Sequence, residues 1–363
     1  MLPWAVTVAW SASLCAYVME QFSRWGALCR CEPAAEWLRI WSDLGRSPHT
    51  IAAYGRGLEE FLGFCERARL DPLAVKRGEV ASYVRELMTR PHRGGVNVVS
   101  MDSGAGLSNA TLQQRLVPVR LFYDFLVEEG VRESNPVGRG RYTAGRGGQG
   151  SARGLVPRQE KLPWIPAESD WLRFLQVVRN EPPRNRLMLA LAYDAALRRE
   201  ELCALRTDDL DPAHRMLRVR AETTKNRRER AVPYSAATGQ LLSEYLRHRA
   251  TISRERGPLF LSESRRNKAD PLTLWTWSKV VRRLALAAEV PRFSTHTTRH
   301  LCLTDLARAG WEIHAIATFA GHRSTETTVR YIHLSGRDLS ERLSSAMAEV
   351  HALRVSALAE STP

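Results

Sequence analysis

Apolar residues recur at helical spacing in the first half of the chain, beginning near Ser47. Ser47 is followed by Pro48, and this pair is typical of the N-cap and the first position of a helix. A second apolar stripe predicts a helix over residues 76–88, and a third predicts one from Ser108 to about Gly130. The first stripe consists of Ile51, Tyr54, Leu58, Phe61, Leu62 and Cys65. Residues 47–136 are therefore predicted to form a compact helical domain.

The second half of the chain is also mostly helical in pattern, but it contains one short β element. Leu217 and Val219 alternate with Arg218 and Arg220, which is typical of a half-exposed strand over residues 216–222. A polar turn over residues 225–229 and a second strand over 230–234 would complete a hairpin. Helical spacing resumes over 275–286, 296–309 and 313–320. The predicted fold is mainly α with a small β-sheet or hairpin, and its second domain spans residues 162–334.

Two segments flank the second domain. Residues 137–161 contain seven glycines and six basic residues, a composition that favours a flexible linker over a packed core. A basic linker can also follow a phosphate backbone, so four of its arginines are candidates for DNA contact: Arg139, Arg141, Arg146 and Arg153. After residue 334, apolar residues at helical spacing predict a helical tail over residues 335–363. This tail either packs on its own domain or is donated to a neighbouring protomer.

Residues 1–46 form an N-terminal extension whose role the pattern leaves open. The first 19 residues are apolar and uncharged, but no Lys or Arg precedes the apolar run as it would in a signal peptide. Two serines interrupt the run, and its length is marginal for a membrane span. We expect a docking helix, or a start further along the chain with Met19 as the candidate. No other segment is predicted to span a membrane.

The charge of the chain changes this picture of an ordinary two-domain protein. It has 53 Lys and Arg against 39 Asp and Glu, a formal net charge of +14, and a protein this basic usually binds a polyanion such as nucleic acid. The six cysteines have no repeated spacing that would predict a zinc site or a disulfide framework. We therefore expect a reduced, cytoplasmic setting.

Four places in the second domain carry side chains that can handle a phosphodiester. Arg198 follows an apolar run over residues 187–197, and its planar guanidinium matches phosphate oxygens, unless it only pairs with Glu200 or Glu201. Lys225 lies in the predicted hairpin turn, where it could enter a DNA groove, protonate a leaving oxygen or simply be solvated. Basic residues follow it in the turn, and we take two as candidates for DNA contact: Arg227 and Arg228.

The other two places lie in the last third of the domain. His296, Arg299 and His300 are three and four residues apart, so they share one helix face. Two histidines at this spacing also occur in zinc hydrolases, but that motif needs a glutamate where Thr297 stands. The fourth place is a Gly-His pair at residues 321–322, nine residues before Tyr331.

In this order and spacing the motifs resemble the active site of the tyrosine recombinase (phage integrase) family. Glu201 matches the buried acid that accompanies the first arginine, and Lys225 lies eight residues before Pro233, as the catalytic lysine does in this family. Ala196 departs from a usual glycine and Ala320 from a usual leucine. The catalytic positions that carry over are Arg198, Lys225, His296, Arg299, His322 and Tyr331.

The resemblance implies an N-terminal helical core-binding domain, a C-terminal mixed α/β catalytic domain, and DNA cleavage through a 3′-phosphotyrosyl intermediate. The two arginines, helped by His322, would hold the scissile phosphate. The tyrosine would attack phosphorus while His296 accepts its proton, and Lys225 would protonate the departing 5′ oxygen. Because the arginines supply positive charge, no metal and no other cofactor are expected.

The same resemblance implies partners. They are double-stranded DNA with specific recombination sites and three further copies of the chain, a homotetramer on synapsed DNA that can be monomeric in solution. No membrane partner is expected. Two alternatives remain open: relaxation of DNA in the manner of type IB topoisomerases, and DNA binding without catalysis. Zinc hydrolysis is a third, weaker alternative.

Overall fold

The computed structural model describes residues 25–90, 107–138, 155–156, 163–224, 226–332 and 344–345, with the side chains of positions 49 and 330–332 excepted. The chain divides into two compact units, Met1–Glu160 and Lys161–Pro363. In the described part both units are mainly helical, and the second also carries a small antiparallel sheet. The predicted fold class is thus confirmed. None of the helices in the described ranges is long and apolar enough to cross a bilayer.

The described helices of the first unit enclose an aromatic core. Phe61 is fully buried and makes edge-on ring contacts with Tyr83 and Tyr123. Ser47 precedes α3 without a side-chain cap hydrogen bond, whereas the Ser108 hydroxyl accepts one from a backbone N–H at the start of α5. The helices are α1 (Gly26–Arg30), α2 (Glu32–Asp43), α3 (Pro48–Arg67), α4 (Arg77–Thr89) and α5 (Asn109–Glu128).

This core extends to residues before Ser47. Helices α1 and α2, with the residue that precedes α1, contribute Trp25, Leu28, Trp37 and Leu38 to it. The carboxylate of Glu59 on α3 accepts hydrogen bonds from the first backbone N–H groups of α1, including that of Leu28 at 2.7 Å, which satisfies donors that a helix start leaves open. The segment 25–46 is therefore part of the helical unit and packs on it through apolar side chains.

Two glycines of α3 allow neighbouring groups to approach its backbone. A Cβ at Gly55 would lie 2.2 Å from the ring of Trp25, and a Cβ at Gly57 would lie 2.6 Å from the ring of Pro118 in α5. Such distances leave no room for a side chain, so both glycines are required by packing.

The second unit packs its helices around a three-stranded sheet of order β1-β2-β3, as far as the described residues go. Leu217 of β2 pairs with Val232 of β3, and both are buried. The predicted strand over 216–222 ends early, because Ala221–Thr223 form a 3-10 turn that the Thr224 hydroxyl closes. The short strand β1 was not predicted. The strands are β1 (Leu210–Asp211), β2 (Met216–Val219) and β3 (Arg230–Pro233).

A small apolar cluster in this unit joins the end of α7 to α11 and α12. It contains Ala196, Leu303 and Ile316, all buried. By fixing these three elements against one another, the cluster brings together the segments that carry the candidate site. The helices of the unit are α6 (Glu168–Val178), α7 (Pro183–Asp194), α8 (Arg199–Cys203), α9 (Ala236–Ala250), α10 (Leu274–Ala287), α11 (Thr297–Arg308), α12 (Ile313–Ala320) and α13 (Thr325–Ile332).

Candidate active site

Arg198 and Glu201 form a charged pair at the start of α8. Arg198 is the N-cap residue, and its backbone N–H and its Nη1 donate to the two carboxylate oxygens of Glu201 at 3.0 and 2.8 Å. Glu201 is 1% exposed, and Arg230 of β3 donates to the same carboxylate at 2.7 and 3.2 Å. Burial alone would raise the pKa of Glu201, but the hydrogen bonds and charges of Arg230 and Arg198 outweigh burial and lower it to about 2. Glu201 is therefore a carboxylate that holds two arginines.

Ala196, between α7 and Arg198, has an unusual backbone conformation. Its φ is +45°, in the left-handed region that favours glycine. The conformation turns the chain sharply after α7 and leaves the Ala196 carbonyl accepting a hydrogen bond from Nη1 of Arg299. This left-handed conformation explains why glycine is usual at this position, from which Ala196 departs.

Arg299 on α11 connects three separate motifs. It is 3% exposed. Besides the Ala196 carbonyl, its guanidinium donates from Nη2 to the carbonyl of Ala320 at 2.6 Å and to Nε2 of His322 at 3.0 Å. One buried side chain therefore contacts the turn before Arg198, the end of α12 and the later histidine.

His322 is held in one tautomer by its hydrogen bonds with Arg299 and Thr328. A guanidinium can only donate, so Nε2 accepts from Arg299 and the proton lies on Nδ1, which is 2.8 Å from the hydroxyl of Thr328 on α13. Burial, followed by the positive charges of Arg299, Arg198 and Arg230, lowers the pKa of His322 to about 4. His322 is consequently neutral at pH 7 in this arrangement.

His296 and His300 lie one turn apart at the start of α11, with ring centroids 6.3 Å apart. Partial desolvation lowers the pKa of His296; Glu200 opposes this shift, and the nearby arginines, Arg299 among them, add to it. The pKa of His300 is lowered to about 4, by burial first and then by His296 and Arg299. The described residues include no group of three His, Cys, Asp or Glu side chains that could hold a metal ion.

The turn after α12 was not identified from sequence as a contact point. Gly321 has φ of +63° and ends the helix in the left-handed conformation. A Cβ there would lie 3.0 Å from Nη1 of Arg230. Arg230 donates from Nε to the Phe319 carbonyl at 3.1 Å, and Asn226 donates from its side-chain amide to the Gly321 carbonyl at 3.0 Å. The sequence signal was only that Arg230 is one of several basic residues after Lys225.

Several predicted residues fall outside the described part of the chain. Lys225 and the side chain of Tyr331 do so, although the backbone of Tyr331 lies in α13, one turn after Thr328. Arg227 and Arg228 are exposed. The linker arginines also lie outside it: Arg139, Arg141, Arg146 and Arg153.

Comparison with known proteins places this chain in a family. Residues 167–337 match the phage integrase family, and residues 35–130 match the N-terminal SAM-like domain of phage integrases. The chain belongs to the phage integrase family. Its members are tyrosine recombinases, enzymes that break and rejoin DNA strands. The resemblance that the sequence motifs indicated is thus confirmed.

Individual relatives agree with this membership. The tyrosine recombinase XerC of Thermodesulfovibrio yellowstonii is 25% identical over 307 residues, which cover 82% of this chain and 89% of that protein. Among solved structures, the XerH site-specific recombinase bound to a palindromic difH substrate has a TM-score of 0.62 at 19% identity, covering 84% of this chain and 81% of that chain. The Tn1549 transposon integrase in complex with circular intermediate DNA has a TM-score of 0.62 at 17% identity, covering 86% and 98%. These two similarities establish the fold.

Proposed function

We propose that this recombinase cuts and rejoins double-stranded DNA at specific recombination sites, with Tyr331 as the nucleophile and a 3′-phosphotyrosyl intermediate. The observation that carries the proposal is the position of Arg299, which contacts His322, the end of α12 and the turn that leads to Arg198. Buried arginines brought to one place from distant parts of a chain suit the binding of a phosphate. The DNA complexes of the XerH recombinase and the Tn1549 integrase support DNA as the partner.

Arg198 and Arg299 would bind the non-bridging oxygens of the scissile phosphate. The negative charge on these oxygens grows as phosphorus becomes five-coordinate, so preorganised positive charge lowers the barrier. Glu201 holds Arg198 from the buried side, and His322 helps by contacting Arg299 at 3.0 Å and so holding that guanidinium in place. No high-energy cofactor is required, because the phosphotyrosyl bond keeps the energy of the phosphodiester.

The proton transfers would use the two remaining groups. As the Tyr331 oxygen forms its bond to phosphorus, its proton passes to His296, whose lowered pKa favours the neutral, proton-accepting form. The bond from phosphorus to the 5′ oxygen breaks, and Lys225 gives that oxygen a proton. A 5′ hydroxyl from a second strand then reverses these steps and completes the exchange.

The larger assembly follows from the reaction. Exchange between two duplexes requires four cuts, so we propose four protomers on a synapse, monomeric before they bind DNA. The exposed Arg227 and Arg228, together with the linker arginines, would bind backbone phosphates. The cytoplasmic location expected from the cysteines remains part of this proposal.

The test begins with a duplex selected from a randomised pool by binding to the Tyr331→Phe protein. The selected duplex, nicked close to the cleavage point so that the cut end diffuses away, is incubated with native protein and a chelator and run on a denaturing gel. We expect a covalent protein–DNA complex with the native chain and none with Tyr331→Phe.

Binding without any covalent complex would instead support a non-catalytic DNA-binding protein. Relaxation of plasmids that lack the selected sequence would support a topoisomerase, and loss of the covalent product in chelator would support a metal-dependent reaction.

A further inference from the structure

Arg230 lies in β3 and is not one of the catalytic positions that the family motifs supplied. It nevertheless contacts both Glu201, beside Arg198, and the end of α12, just before His322. Its side chain is 9% exposed. Nη2 and Nη1 donate to the Glu201 carboxylate at 2.7 and 3.2 Å, and Nε donates to the Phe319 carbonyl at 3.1 Å. All three nitrogens of the guanidinium are thus engaged inside the protein.

The first contact bears on Arg198. Glu201 is 1% exposed and accepts hydrogen bonds from both arginines. A buried carboxylate is held by its hydrogen-bond partners, because water cannot replace them. The location of the Arg198 guanidinium therefore depends on where Arg230 holds Glu201.

The second contact bears on His322. The Phe319 carbonyl lies in the last turn of α12, where carbonyls lack partners within the helix. Arg230 supplies one partner, and its guanidinium packs closely on Gly321, where an added Cβ would lie 3.0 Å from Nη1. The turn contacted in this way leads directly into His322, which contacts Arg299.

We propose that Arg230 is a positioning residue for DNA cleavage, which sets Arg198 through Glu201 and the His322 turn through Phe319 without contacting the DNA. This inference rests on the proposed function. The amide of Asn226, bound to the Gly321 carbonyl at 3.0 Å, joins the same hairpin to the same turn and supports a fixed geometry between them. The competing explanation is that Arg230 and Glu201 are only a buried ion pair that stabilises the fold.

The experiment is a double-mutant cycle on single-turnover cleavage of the selected nicked duplex. Arg230→Lys is expected to slow cleavage about tenfold or more, because small displacements of phosphate-binding groups are costly. Its Kd for the duplex should stay within about twofold, since its donors face the protein interior.

Arg198→Lys should slow cleavage by about 10²-fold or more, because a donor to the transition state is displaced. The double variant should be clearly less slow than the product of the two single effects, since the part of the Arg230 effect that acts through Arg198 is non-additive with Arg198→Lys. Rates that multiply across the cycle, or an unchanged rate for Arg230→Lys, would overturn the proposal.

A matched control separates positioning from stability. Arg220 also pairs with a buried carboxylate, Asp209 at 3.0 Å, and with a carbonyl at the end of a helix, that of Ala204 at 2.6 Å. Arg220→Lys should lower the melting temperature much as Arg230→Lys does, while its effect on cleavage multiplies with that of Arg198→Lys. If both variants behave alike in the cycle, the role of Arg230 is structural.

Two further measurements keep the result decisive. If Arg230→Lys does not fold, the charge-balanced pair Arg230→Met with Glu201→Gln removes both partners. Adding Arg198→Lys to this pair should slow cleavage less than Arg198→Lys slows it in the native chain. If Arg198→Lys leaves the native cleavage rate unchanged, the proposed role of Arg198 is wrong. If Arg198→Lys is slow but shows no coupling with position 230, only the inference about Arg230 is wrong.

Discussion

The two units of this recombinase bury different kinds of side chain. In the described part of the first unit the buried residues are apolar and aromatic, with Ser42 as the one buried polar residue. The second unit buries Arg184, Asn185, Glu201, Asp209, Arg249 and Arg299, besides several threonines. Burying a charge is unfavourable unless it is paired or fully hydrogen-bonded. The first unit is thus stabilised by packing, whereas the second also holds charged groups in its interior through ion pairs and hydrogen bonds.

The strongest test of this difference compares two buried arginines of the second unit. Arg299 is 3% exposed and contacts the site, whereas Arg249 is 5% exposed and donates to four carbonyls of the loop after α9. Arg299→Met should slow single-turnover cleavage by about 10²–10³-fold through loss of transition-state donors. Arg249→Met should lower the free energy of unfolding by about 1–3 kcal/mol or more, because it leaves buried carbonyls unpaired. Its cleavage rate per folded molecule should not change. Equal losses of cleavage in both variants would mean that buried arginines here serve the fold alone.

The packing of the first unit can be tested at two glycines of α3. Gly55→Ala should destabilise the chain by about 1–3 kcal/mol, because its Cβ would lie 2.2 Å from the Trp25 ring. In Gly63→Ala the nearest heavy atom is a flexible arginine nitrogen at 3.5 Å, so the change should stabilise α3 by about 0.5–1 kcal/mol. Urea unfolding measures both. A stabilising Gly55→Ala would show that α1 is not packed on α3.

Low pH should also destabilise the second unit more than the first. The pKa values of His300 and His322 lie at about 4, below the value of about 6.5 for an unfolded histidine. Between these values the unfolded chain binds protons that the folded chain does not. The stability that these histidines contribute is therefore complete above pH 6.5 and is lost as the pH falls towards 4. Hydrogen exchange, corrected for its intrinsic pH dependence, should show α11 and α12 losing protection at pH 4.5 while α3 and α5 keep theirs. His322→Asn should reduce that loss, and an equal loss in both units would contradict the prediction.

The smallest expected effect concerns two neighbouring alanines, both fully buried. Ala195→Gly should destabilise the chain by about 1 kcal/mol, from added chain entropy and a lost methyl group. Ala196→Gly should change stability by less than about 1 kcal/mol, because relief of the left-handed backbone offsets these losses. Denaturant midpoints measure the difference. Equal destabilisation at both positions would indicate that Ala196 is not strained.

Much of the fold could be predicted because its signals are local. The helices α3, α4 and α5 follow from apolar residues at a spacing of three and four, and the hairpin of β2 and β3 follows from alternation. The two-residue strand β1 could not be found, since Leu210 and Asp211 become a strand only by pairing with Leu217 and Met216. The early end of β2 also depends on a hydroxyl contact, that of Thr224.

For the candidate site, the sequence by itself determined the chemical types, their order and the family, because a reaction on phosphate requires particular side chains at matching intervals. Tertiary structure alone decided which groups support them. Arg230 is one of several basic residues in the sequence, and only the fold brings it into contact with Glu201, 29 positions away, and Phe319, 89 positions away. Thr328 likewise meets His322 only in the fold, where its hydroxyl oxygen accepts a hydrogen bond from Nδ1 of the histidine. Such contacts depend on which distant segments a shared core brings together, and no local pattern encodes that.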